Sequence, residues 1–238
     1  MRRLASLVFA TLLGCEGSTP SFEPDADDPT PIEPRVPTIE EPFAGTAGEA
    51  VELYRQRILA ASALAPGMRV ADIGANQGWF VDRGALAIGP SGTLYATDLD
   101  DGALRSLERL ASQGNPARAR IVVRRAGPRE TGLDDLPDNH LDVIWMIDSL
   151  CFEYPESHDE DVAYLREFLR LLKPGGRMFH HMDCDCRISP AAVIELFEAA
   201  GFESQTQTLA MPQPTDPEWH CQTPEQRERH TWFATFRK

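Results

Sequence analysis

Two carboxylates and a glycine-containing turn are the residues best placed for binding chemistry. The short apolar run Met68–Ile73 ends in Asp72-Ile73-Gly74-Ala75-Asn76-Gln77-Gly78. Glycine at 74 and 78 lets the backbone approach a bound molecule, and Asn76 is the residue type that best replaces glycine at positive φ. A tight turn that binds nothing is the plain alternative. The acid before the turn and the helical pattern after it favour a ligand. Asp98 ends the next apolar run. A carboxylate there can accept both hydroxyls of a ribose diol. Its alternative role is a helix cap, for which Asp100 and Asp101 already stand in place.

A second group lies further along the chain. Asp148, Cys151, Glu153 and Tyr154 should converge on His180-His181-Met182-Asp183-Cys184-Asp185-Cys186 if the two preceding strands are neighbours. Strand alternation turns His181, Asp183 and Asp185 one way and His180, Cys184 and Cys186 the other. His181 with Asp183 could then act as a proton acceptor and its orienting group. A polar strand end with no chemistry is the alternative. His180, Cys184, Cys186, His220 and Cys221 are zinc-ligand types, but Cys-x-Cys is not the common spacing and no second close cysteine pair follows, so no metal is expected. In an oxidising compartment Cys221 could pair with Cys184 or Cys186; otherwise these are simply thiols, and Cys151 is expected to pack beside the pocket.

The elements that must position these groups alternate. Helical periodicity covers Glu49–Leu64, and Pro66-Gly67 ends it. Strands are predicted at Met68–Ile73, Thr93–Thr97, Arg120–Val123, Leu141–Ile147 and Arg177–Met182, with two more at Glu203–Leu209 and Thr231–Phe236. Helices are predicted from the glycine turn to Ile88, from Asp100 or Asp101 to Ser112, over Asp159–Leu172, and from Ser189-Pro190 to Gly201. Leu141–Ile147 is almost continuously apolar, as a strand buried on both faces requires. Strand–helix alternation predicts a parallel sheet with helices on both faces, and such sheets bind ligands beyond the carboxyl ends of their strands. Met211–His230 interrupts the last two strands and is expected to help cover an acceptor pocket.

In order, these residues resemble the class I S-adenosylmethionine-dependent methyltransferases over roughly residues 49–238. Asp72–Gly78 matches that family's first motif and Tyr95-Ala96-Thr97-Asp98 the next. Leu136-Pro137-Asp138-Asn139 with Asp142–Asp148 matches the fourth-strand motif, and Leu171–Arg177 the loop before the fifth strand. The resemblance implies a three-layer Rossmann-like fold with a mostly parallel seven-stranded sheet and an antiparallel last strand. It implies an enzyme that uses S-adenosylmethionine to methylate an acceptor. By the same resemblance Asp72, Gly74, Ala75, Asn76 and Gly78 hold the methionine part of the cofactor, Asp98 the ribose and Leu99 the adenine, and Asp148 sits by the methyl donor or the acceptor. Many relatives place an acid after the third strand for the adenine amine. Here the strand ends Arg124-Arg125-Ala126-Gly127, which assigns no partner at that point. A nicotinamide oxidoreductase fits less well, because its fingerprint needs glycine where Asn76 stands.

The 238 residues carry a net charge of −14. Half of it falls in residues 16–42, where eight acids meet one base, Arg35, among seven prolines. That stretch reads as an acidic tether that buries no core. Before it, Met-Arg-Arg, the apolar stretch Leu4–Leu13 and Gly14-Cys15 read as a secretory signal over residues 1–15. Leu12-Leu13-Gly14-Cys15 resembles a bacterial lipobox, which implies acylation of Cys15 and a membrane anchor outside the cytoplasm; a cytoplasmic protein is the alternative. No apolar run reaches the roughly 20 residues of a spanning helix. Residues 43–238 then form one domain. Its acidity argues against a nucleic-acid partner and leaves a small-molecule methyl acceptor as the expectation. A ligand-binding lipoprotein on the same fold, without catalysis, is the alternative function.

Overall fold

The structure is a computed structural model, and it describes residues 46–152, 156–182, 186–207, 223, 226 and 233–238. The signal and tether segments, with Cys15, lie outside the described residues, as does Met211–His230 apart from Thr223 and Gln226.

The chain alternates as α1 (Ala47–Ala61), β1 (Arg69–Ile73), α2 (Trp79–Ile88), β2 (Thr93–Asp98), α3 (Asp101–Ser112), β3 (Arg120–Arg125), β4 (Leu141–Ile147), α4 (His158–Leu171), β5 (Leu172–His181), α5 (Pro190–Ala200), β6 (Glu203–Gln207) and β7 (Phe233–Arg237). Local chemistry sets the boundaries. Thr46 and Glu49 form a reciprocal capping box at α1. Asp100 caps α3 through the Ala103 amide. Ser189 caps α5 with Pro190 at its first position, and Gly201 closes that helix at φ 105°.

Among the described residues the sheet runs β3-β2-β1-β4-β5-β7-β6. Strands β1 to β5 pair in parallel, and β7 runs antiparallel to both β5 and β6. The expected fold is therefore observed: a mostly parallel seven-stranded sheet, antiparallel in its last strand. Element bounds shift by a few residues, most at the start of β5. Lys173-Pro174-Gly175-Gly176 stops α4 as expected, yet belongs to the start of β5, where the pairing with β4 slips between Leu141 and Val143.

Alternating side chains along the strands feed two separate cores. Val70, Leu94, Val143, Trp145 and Phe179 meet α1, α2 and α3 through Tyr54, Ile58, Phe80, Val81, Ile88 and Leu107. Ala71, Tyr95, Ile144, Met146 and Met178 meet α4 and α5 through Val162, Leu165, Phe168, Val193 and Phe197. Trp145 fixes α1 on the sheet: its indole N–H donates to Ser62 Oγ at 2.7 Å, which donates to the Ile58 carbonyl at 2.8 Å. Strand order reverses between β1 and β4, so the sheet has its switch point there, beyond Ile73 and Ile147.

Candidate functional site

The carboxyl ends of β1, β2 and β4 bring Asp72, Asp98 and Asp148 to one edge of the sheet. Two adjoining clefts open there. One, of about 580 Å³, is lined by Asp72, the Gly74–Gly78 turn, Trp79, Arg55, Arg83 and Asp148 among others. The second, of about 460 Å³, is lined by Asp98, Leu99, Gly127, Pro128, Arg129 and the Asp148–Cys151 loop among others. Gly74, Asn76 and Asp148 border both.

The turn is built from the backbone outward. Gly74, Asn76 and Gly78 take positive φ of 70°, 48° and 83°, a region open to glycine and tolerated by asparagine. The glycines answer a second demand, which the sequence did not show. A Cβ on Gly74 would come within 2.3 Å of Ser149 Cβ, and one on Gly78 within 3.0 Å of Leu107 and Leu110. Close packing by the neighbouring loop and by α3 therefore requires small residues here, in addition to any approach by a ligand. The Gly74 and Ala75 amides donate to the Thr97 carbonyl, and Gly78 N–H donates to the Ala75 carbonyl. Asn76 N–H donates to Asp98 Oδ2 at 2.8 Å, and Asp100 N–H donates to Asp98 Oδ1 at 2.9 Å. Four amides of the turn are thus spent on the protein itself, which does not suit the pyrophosphate cradle of a dinucleotide. The same bonds fix the Asp98 carboxylate at the cleft edge, where the remaining lone pairs can meet a diol.

Burial pushes the Asp72 carboxyl up to about 7, and the nearby Asp98 charge adds to the shift. Its folded value lies above the ordinary 3.8, so protonated Asp72 favours the folded state. That contribution is whole below pH 3.8 and is lost as pH rises through about 7. Chemical denaturation from pH 4 to 8 should show wild-type stability falling across this window, with a shallower fall for Asp72→Asn. Parallel curves would remove the burial account of Asp72.

Asp148 is held in an unusual backbone state, φ 51°, directly after β4. Its N–H donates to the His181 carbonyl at 3.1 Å, and its Oδ1 makes a short contact with His181 Nδ1. His181 is fully buried, tilted against the Tyr54 ring at 4.6 Å, and is not among the residues lining either cleft. Burial and the Asp148 charge both push the Tyr54 hydroxyl pKa upward, so it stays neutral. His180 points to the other face, against Phe152 and Phe197. Burial pushes it down to about 3, so it is uncharged at neutral pH.

One contact adds to the expectations and one expectation changes. A carboxylate in contact with His181 is that of Asp148; Asp183, the orienting group expected from the sequence, lies outside the described residues with Glu153, Tyr154, Cys184 and Asp185. Cys186 pairs with Cys151, at a Cα–Cα distance of 5.2 Å, and not with Cys221. Cys151 is thus a bridged residue beside the pocket and not a thiol. Neighbouring strands carry the loops after β4 and β5 together, and that proximity overrides any pairing guessed from spacing. The bridge closes a 35-residue separation, worth about 4 kcal/mol against the unfolded chain in the chain-entropy account. Among the described residues no group of three or more His, Cys, Asp or Glu could hold a metal ion; His220 and Cys221 lie outside them.

Residues that sequence reasoning missed fill the rest of the rim. Trp79 donates its indole N–H to Glu52 at 2.7 Å and carries Arg83 over its ring at 4.0 Å. Arg129 Nε donates to the fully buried Asp161 at 2.7 Å, and its Nη2 to Ser157 Oγ at 3.0 Å. That ties the loop after β3 to the start of α4. Nothing local marks either group; only the positive φ demanded after β4 left a faint trace, in the Ile147-Asp148-Ser149 break from apolar strand to polar loop.

Known proteins show the same pattern. Residues 70–176 match the family described as "Methyltransferase domain". A ubiquinone/menaquinone biosynthesis C-methyltransferase from Ectopseudomonas mendocina is 32% identical over 133 residues, covering 56% of this chain and 48% of that protein. The chain spans about half the length of the curated relatives it matches. Among solved structures, an S-adenosylmethionine-dependent methyltransferase from Mesorhizobium loti superposes with a TM-score of 0.55 at 15% identity, covering 79% of this chain and all of that one. The [4+2]-cyclase SpnF gives 0.53 at 19% identity, covering 84% and 88%. At these identities the structures establish the fold, which is the Rossmann-like methyltransferase fold.

Proposed function

We propose that this chain is an S-adenosylmethionine-dependent methyltransferase with a small-molecule acceptor. One observation carries the reading: Asp72, Asp98 and Asp148 stand at three neighbouring strand ends around joined clefts, within the stretch that matches a methyltransferase domain. The residues present fit that cofactor. Asp98 is oriented for a ribose diol. Leu99, 59% exposed at the edge of the second cleft, offers an apolar face to an adenine. Asp148 gives the first cleft a carboxylate that suits a sulfonium or an ammonium group, and Asp72 in the same lining would ionise more readily beside a bound cation. Bound there, the cofactor would supply an electrophilic methyl group.

The chain's own residues supply alignment and a base. The Asp148–Cys151 loop and the Gly74–Gly78 turn pack on each other and set the spacing of the clefts. An acceptor that gains a methyl group on oxygen, nitrogen or carbon sheds one proton. Asp148 borders both clefts, which supports assigning it as the group that takes that proton. His181, buried behind it, acts as a positioning residue: it holds the carboxylate in one orientation. The C-methyltransferase relatives favour a carbon atom of a quinone-type ring as the acceptor to test first.

Calorimetry with S-adenosylmethionine, S-adenosylhomocysteine and NAD tests the cofactor. The sulfur nucleotides should bind and NAD should not, and Asp98→Ala should weaken binding by about 1–3 kcal/mol through lost hydrogen bonds to a charged group. No heat with either sulfur nucleotide overturns the proposal. Binding without turnover over a panel of quinols, phenols and amines would favour a binding protein on this fold. Export with a lipid on Cys15 belongs to the same proposal. The Cys151–Cys186 bridge supports it, since disulfides persist in oxidising compartments. Fractionation of the intact chain with membranes is its test.

A further inference from the structure

The first four residues of the loop after β4, Asp148 to Cys151, form a stretch pinned at both ends. Its start is held by Asp148, through the amide bond to the His181 carbonyl and the side-chain contact with His181. Its far end is held by the Cys151–Cys186 disulfide. Between these points Asp148, Ser149, Leu150 and Cys151 form one wall of the second cleft, and Ser149 lies directly over Gly74. The two sulfur-bearing residues differ in environment. Cys186 is buried among Ile188 and the α5 side chains, whereas Cys151 is exposed at the cleft rim. A reductant therefore has access from the side of Cys151, and the anchor it releases is the rim and not the core.

We infer that the Cys151–Cys186 disulfide is a redox-controlled clamp on the cofactor cleft: the bridged form holds the Asp148–Cys151 wall against the Gly74 turn, and the dithiol form binds the cofactor more weakly. The inference rests on the proposed cofactor reading. Opening the clamp consumes two electrons and two protons from an external dithiol, which leaves as its own disulfide, while Cys151 and Cys186 become thiols. Closure returns the same electrons to an oxidant such as a second protein disulfide. Cofactor affinity responds because the wall no longer starts in the bound geometry, and ordering it must then be drawn from the binding free energy. The fold itself persists, because Phe152 next to the bridge stays packed between His180 and Phe197, and β4 and β5 keep their ladder. Oxidation thus favours binding in the compartment where disulfides form, and the reduced chain is the weak form.

The test uses the full chain and S-adenosylhomocysteine as the probe. Peptide mapping first identifies the bridge in the oxidised protein. Calorimetry then compares oxidised protein, protein held in a dithiol reductant, and Cys151→Ala/Cys186→Ala. The dissociation constant should rise about tenfold in the second and third samples, and the double variant should not respond to reductant. A Cys184→Ser/Cys221→Ser chain should keep the wild-type response, which excludes those thiols as its source. Circular dichroism should show an unchanged fold in every sample. Equal affinity in the oxidised and reduced wild type overturns the clamp, and a lowered melting temperature alone would mark the bridge as a structural staple. Cys151 mapped in another linkage also overturns it. If no form of the protein binds the probe, the cofactor reading falls first and the clamp with it.

Discussion

Replacing Asp148 with asparagine should lower kcat by about 10²–10⁴-fold, the usual contribution of a positioned general base. The change is nearly isosteric, and asparagine accepts the positive φ of 51° at this position more easily than most residues. An amide can still meet His181, so the loop should keep its place. The carboxylate's negative charge and its capacity to take a proton are what the change removes. Two readouts separate those losses. Loss of the base should abolish the acid limb of the kcat–pH profile. Loss of the charge should weaken cationic S-adenosylmethionine more than neutral S-adenosylhomocysteine. His181→Asn, by contrast, leaves the base present but less firmly oriented, and should lower kcat with the acid limb still visible. A kcat within threefold of wild type for Asp148→Asn would mean that the proton leaves by another route.

Arg129→Met should destabilise the fold by about 3–5 kcal/mol, measured by urea denaturation at pH 7. Asp161 is fully buried in the first turn of α4. Its Oδ1 accepts from Arg129 at 2.7 Å and its Oδ2 from the Ser157 hydroxyl at 2.6 Å. Methionine retains the volume of the side chain and removes the charge, so the buried carboxylate loses its counter-ion. The positive end of the helix offsets only part of that loss, on the order of 1 kcal/mol. Arg129→Met/Asp161→Leu should recover most of the stability, because replacing both ions by apolar groups leaves no buried charge unpaired. The single variant should also loosen the second cleft, since Arg129 is one of its walls. A loss below 1 kcal/mol would show that Asp161 is neutralised without Arg129.

The contrast between these two residues shows how far the sequence could be read. Asp148 was legible because it ends a buried strand in a run that resembles a family motif. Arg129 was not, because its partner Asp161 lies 32 residues away on a helix whose periodicity shows only that one face is apolar. The glycines fall between: their positive φ followed from the turn, but the need to admit Ser149 beside Gly74 followed from the loop after β4.

By itself the sequence determined the alternation of strands and helices, the turn after β1, and the placement of Asp72, Asp98 and Asp148 at strand ends. These are local properties, since apolar periodicity, caps and turn residues act over a few neighbours. Only the tertiary structure decided which groups meet. It set Asp148 against His181, Cys151 and not Cys221 against Cys186, and the Asn76 amide on Asp98. Those pairings depend on strand order and register, which are fixed when two apolar faces of one sheet are buried by different helices, and no spacing along the chain encodes them.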